Sequence, residues 1–97
     1  MAVSGPYQIH FDLTGHGIIK PNLDVASGPN AVANVNPNAR ILASVCEIDS
    51  MGNPHMGDAN IQVTNIVPTI GYVQVFINIL WNSDINIRVR FFIWTDV

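Results

Sequence analysis

Trp81, Asn82, Ser83 and Asp84 follow one another late in the chain. The run joins a flat apolar ring to an amide, a hydroxyl and a carboxylate. A sugar is recognised by that combination: its C–H patches pack on the ring, and its hydroxyls bond to amides and carboxylates. The same four residues also read as a plain turn. On that reading Trp81 has the parity of the inward residues and lies in the core, and Asp84 closes its own turn through its side chain.

Other polar groups are weaker candidates. Asp49, Asn53, His55 and Asp58 share one long loop, residues 49–58, rich in the oxygens that Ca²⁺ takes. Their spacing does not match an EF-hand, and Pro54 interrupts it, so a solvated loop is expected. His10, His16 and His55 are scattered, with no His-x-x-x-His or Cys–His spacing, so no metal site is expected. Ser44, His16 and Asp49 could form a triad on paper, as could Cys46 with His55 a nucleophile–base pair. Neither has a supporting local motif, and a strand-borne Cys46 suits buried packing. Gly15-His16-Gly17 lacks the rest of a phosphate loop. Glu47 and Asp49, two apart on a strand, share a face and resemble a glycosidase carboxylate pair; the plainer expectation is that they neutralise Arg88 or Arg90. The chain therefore reads as a non-enzyme with no catalytic residues and no cofactor.

Composition narrows the partners. Hydrophobic residues make up 48% of the 97 and charged residues 11%, against about 25% charged in ordinary soluble domains. Disorder is excluded by that balance. Net charge is −3, and the four cations are Lys20, Arg40, Arg88 and Arg90. Four cations cannot build a phosphate-neutralising stripe, so no nucleic-acid partner is expected. Membrane insertion is not expected either, since no run approaches about 18 apolar residues. Asparagine replaces charge as the polar component, which suits neutral ligands and, more plainly, tight loops. Cys46 is the single cysteine, so no intrachain disulfide can form. The N-terminus shows no basic region followed by an apolar run, which fits a cytoplasmic protein or one released by a non-classical route.

The elements that must position these groups read as strands throughout, in one domain spanning residues 1–97. Tyr7, Ile9, Phe11 and Leu13 alternate with polar residues. Ile18-Ile19 starts a second strand, which Pro21 confines to an edge. Residues 22–38 are irregular, with a short strand at Ala31 to Val35. Strands follow at Ile41 to Ile48 and at Ile61 to Asn65. Val73 to Trp81 and Ile85 to Ile93 alternate most clearly. With Asn82-Ser83-Asp84 as a three-residue turn, they form a hairpin in which residue 79 faces 87, 77 faces 89 and 75 faces 91. Its other face then gathers Tyr72, Phe76, Phe92 and Trp94 with Arg88 and Arg90, and sets Arg90 against Phe76. Such a face is either a second internal layer packed by the N-terminal segment or a subunit interface, and aromatics with arginine favour the interface. The fold class expected is all-β, an antiparallel six-stranded sandwich.

The second half resembles the H-type lectin domain of snail agglutinins and discoidins. The likeness lies in Ala39 to Asp49, in Asn60-Ile61-Gln62-Val63, in Gly71-Tyr72-Val73-Gln74-Val75, in Ile79-Leu80-Trp81-Asn82, and in the closing run to Trp94-Thr95-Asp96. That resemblance implies a homotrimer binding galactose-type sugars at clefts between protomers. Asn82 stands where the family has histidine, and Gln62 where it has arginine, so galactose preference does not carry over. The expected activity is therefore carbohydrate binding, with a glycan or glycoconjugate as partner. The expected site comprises Trp81, Asn82, Ser83, Asp84 and Gln62, completed by His16 from a neighbouring protomer. The alternative is a non-catalytic structural or attachment domain, of the viral or phage kind, whose task is oligomerisation.

Overall fold

The structure is a computed structural model and describes Val3–Asp96. Within those residues it is all-β, with 64% of them in strands and every pairing antiparallel. The strands are β1 (Val3–Gly15), β2 (Gly17–Ile19), β3 (Asn22–Asp24), β4 (Arg40–Ile48), β5 (Pro54–His55), β6 (Asn60–Pro68), β7 (Tyr72–Leu80) and β8 (Ile85–Asp96). Among the described residues no helix is long and apolar enough to cross a membrane.

Two sheets share these strands. Sheet A runs β1-β8-β4-β5; in sheet B, β7 is the centre, with β2 and β3 on one side and β6 on the other. Eight strands stand where six are expected. One reason is Pro21, which splits a single edge run in two: β2 and β3 keep the same register on β7 (Ile19 opposite Ile77, Asn22 opposite Gln74). Pro21 offers no N–H, but its carbonyl accepts from Val75 N–H at 3.0 Å, so the edge position costs no ladder bond there. The other reason is β5, a two-residue pairing against Glu47 and Ile48.

Alternation decides the core. Val73, Val75, Ile77 and Ile79 of β7 and Ile87, Val89, Phe91 and Ile93 of β8 are all buried, as their period of two requires. Phe11 meets Phe91 edge-to-face, with ring centroids 6.1 Å apart. The irregular stretch after β3 contains no strand at Ala31 to Val35. Its Val25, Val32 and Val35 are buried instead and close one end of the sandwich. Val25 N–H donates to Gly71 O (3.1 Å) and Gly71 N–H to Val35 O (3.0 Å), which ties that stretch to the β6–β7 turn. Gly71 has φ +77°, a conformation that glycine adopts without steric penalty. The asparagines and aspartates here act as turn residues: Asp24 Oδ1 accepts from Ala26 N–H (3.0 Å), Asn36 Oδ1 from Asn38 N–H (2.8 Å), and Asn34 takes φ +66°.

The expected β7–β8 hairpin does not form. The two strands lie in different sheets, and β8 pairs with β1 and β4 while β7 pairs with β2, β3 and β6. Their apolar rows face one interior from opposite sheets, so the inward residues are as expected but their neighbours are not. The gathered aromatic face consequently divides. Tyr72, Gln74, Phe76 and Asn78 lie on the outer face of sheet B, and Arg88, Arg90, Phe92 and Trp94 on that of sheet A. Arg90 sits between His10 and Ser44, and the cation over Phe76 is Lys20, 5.4 Å from the ring centroid.

Arg88 finds its carboxylate across the β1–β8 ladder, not in Glu47 or Asp49. Its Nε donates to Asp12 Oδ1 at 2.8 Å and its Nη2 to Asp12 Oδ2 at 3.1 Å. This two-pronged bond holds the Asp12 carboxyl below the ordinary aspartate range. Asp49 is also lowered, first by the Asn53 N–H and then by that of Met51, both donated to its Oδ1 at 2.9 Å. A carboxylate with a depressed folded pKa stabilises the fold above its unfolded value, about 3.9, and loses that contribution as pH falls through the folded value. Melting temperature should therefore drop below about pH 4. Asp12→Asn should melt lower than the parent at pH 6 and lose less between pH 4 and pH 2. A parallel acid profile for parent and variant would count against this bond as a source of stability.

Candidate functional site

The chain passes between the sheets twice at one corner. On the first passage, Gly15 is still opposite Ile85 in sheet A and Gly17 is already opposite Ile79 in sheet B, so His16 alone spans the gap. On the second passage, the five residues Leu80 to Asp84 cover the same distance and take the outside of the bend. Gly17 has φ +66°, and a Cβ there would meet nothing within 4 Å, so its backbone conformation, not crowding, calls for glycine. At Leu80 the strand ends in a tight turn: Trp81 N–H donates to Ile79 O at 2.8 Å.

That turn breaks the alternation and swings Trp81 outward. Its side chain is 42% exposed, so Trp81 is not a core residue. Asp84 does not close its own turn. Its Oδ1 accepts from His16 Nδ1 at 2.5 Å, across the corner. The His16 and Asp84 side chains are 54% and 63% exposed, and a pair so open to water contributes only about 0–1 kcal/mol to stability. Asp84 Oδ2 and His16 Nε2 are left to bond with solvent or a ligand. One step into sheet A, Thr14 Oγ1 donates to Asn86 Oδ1 at 2.6 Å.

The corner thus collects Trp81, Asn82, Ser83, Asp84 and His16 within a single chain, with Thr14 and Asn86 beside them. His16 belongs to the same protomer as Asp84, so a neighbouring copy is not needed to bring the two together. Gln62 lies apart, on the outer face of sheet B opposite Asn78. Thr14 and Asn86 escape the sequence reading because β1 and β8 lie far apart in the chain. The match of Asp12 to Arg88 was the available signal for their register.

The other constellations do not assemble. Ser44 lies opposite Arg90, His16 is held by Asp84, and Asp49 is bound by its own loop. Cys46 and His55 line one shallow depression with Met56 and Gly57, but His55 Nε2 faces Glu47 Oε2 at 3.7 Å. Among the described residues no cluster of three His, Cys, Asp or Glu could hold a metal ion. The corner therefore offers an exposed indole on the same bend as a carboxylate and an imidazole that are bonded to each other and open to water. Comparison with known proteins finds no matching family model, no matching curated protein and no matching solved structure.

Proposed function

We propose that this chain is a non-catalytic carbohydrate-binding protein that holds a neutral sugar at the corner between its sheets. The exposure of Trp81, three residues before the Asp84 that holds His16, supports this reading most directly. A large indole left in water has a cost that contact with a ligand removes, and Asp84 Oδ2 and His16 Nε2 keep free bonding capacity on the same bend. Asp84 is the main acceptor, because a carboxylate takes bonds from two adjacent hydroxyls. Such a site is shallow and binds one sugar at roughly millimolar strength, near −4 kcal/mol.

Presentation in a homotrimer, as the H-type lectin resemblance implies, would raise that affinity by avidity. The outer face of sheet A suits the assembly. It carries Leu42 and Phe92 one step along the ladder from Arg90 and Trp94 a step beyond them, and Arg90 has no carboxylate within ion-pair distance among the described residues. The reading is tested on a glycan array together with light scattering. Neutral galactose-type or related glycans should be retained, and the mass should be near three subunits, falling in Arg90→Ala. A trimer that retains no glycan would favour the alternative, an attachment or structural domain.

A further inference from the structure

The outer face of sheet B carries a second feature, about 14 Å along β7 from the corner by strand rise. A β-bulge between Val63 and Asn65 shifts the β6 register. Thr64 and Asn65 are consequently both exposed, and Asn65 comes opposite Phe76. On the other side of β7, the continued register of β2 and β3 brings Lys20 beside the same ring, its Nζ 5.4 Å from the centroid. A depression of about 210 Å³ opens there, lined by Lys20, Asn65, Val67, Gln74 and Phe76. It has a flat apolar floor, two amides and one ammonium. Lys20 has no carboxylate within ion-pair distance among the described residues. Bulges re-aim side chains beside binding sites, and this one opens the depression.

We infer that this depression is a second saccharide subsite, and that it takes a sugar ring bearing a carboxylate. The inference rests on the proposed sugar-binding corner and extends it. Lys20 leaves the Phe76 ring to pair with the carboxylate, Phe76 and Val67 then receive the sugar ring's C–H face, and Asn65 and Gln74 bond its hydroxyls. The volume suits one ring-sized group, below the range of pockets for larger ligands. Between corner and depression lies the row Gln62–Asn78–Ile18, which places two more amides along the path. Gln62 therefore bridges the subsites and is not part of the corner. The ligand is a short acidic oligosaccharide, with its neutral end at Trp81 and its acidic end at Lys20.

The test compares a trisaccharide ending in a uronic acid with its carboxyl-reduced counterpart, by titration calorimetry on the full chain at low salt. The acidic form should bind about fivefold tighter, as expected for one exposed charge pair. That preference should shrink at high salt. Lys20→Gln should bring the two forms to equal affinity, and Asn65→Ala should weaken both. Equal affinities in the parent, or a preference that survives Lys20→Gln, would overturn the inference. Asp84→Asn separates it from the corner reading. If that variant leaves both affinities intact while Lys20→Gln still abolishes the preference, the depression stands and the corner fails. If the reduced form binds through Asp84 and the acidic form binds no better, the corner stands and the depression fails.

Discussion

Trp81→Ala is expected to weaken neutral-sugar binding about tenfold, and Asp84→Asn by tenfold or more, with little change in melting temperature. The magnitudes follow from what each variant removes. Loss of an aromatic contact is worth about 0.5–1.5 kcal/mol, and loss of a charge-assisted hydrogen bond about 1.5–3 kcal/mol, at 1.4 kcal/mol per factor of ten. Stability should hold because Trp81 is 42% exposed and the Asp84–His16 pair lies in water. Asp84→Asn keeps the shape and an acceptor for His16 but loses the charge. Titration calorimetry beside thermal melts reads both quantities. Binding that survives both variants would move the site away from the corner, and the 49–58 loop would be the next place to look.

Phe91→Ala should cost far more in stability than any surface change. Phe91 is fully buried between the sheets, on the central strand of sheet A, with Phe11 at its edge. Removing a buried phenylalanine costs about 3–5 kcal/mol, a large share of the roughly 5–15 kcal/mol that holds a domain together. At about 4–8 °C per kcal/mol for a domain this size, the melting temperature should fall by at least 12 °C. Met51→Ala, at a side chain left in solvent, should shift it little. A drop of only a few degrees for Phe91→Ala would mean that this ring is not the centre of the core.

Faces were legible in the sequence, and neighbours were not. The alternation of β7 and β8 identified all eight of their core residues from Val73 to Ile93, because a half-buried strand must repeat every two residues. The same alternation says nothing about which strand lies alongside. Three polar residues between two such runs look like a hairpin turn, yet Leu80 to Asp84 make the outer bend between two sheets. The tight turn at Leu80 also defeats parity, and so Trp81 leaves the core row. Pro21 at an edge was readable, since only its missing N–H mattered. The Lys20–Phe76 contact was not, because it depends on a register that continues across the Pro21 break, and the approach of Asn65 to the same ring depends on a bulge that no local residue type announces. At the candidate site, Trp81 to Asp84 could be picked out as adjacent residues of suitable chemistry. Their meeting with His16 in one protomer follows only from the paired crossing of β1–β2 and β7–β8.

The most direct test of a sugar site at the corner is an amide chemical-shift titration of the isotopically labelled protein with each of a panel of neutral monosaccharides, up to tens of millimolar. The shifts should cluster at residues 14–18 and 80–86, with the Trp81 indole N–H among the largest. Shifts confined to the 49–58 loop, or none at the highest concentration, would contradict a sugar site at this corner.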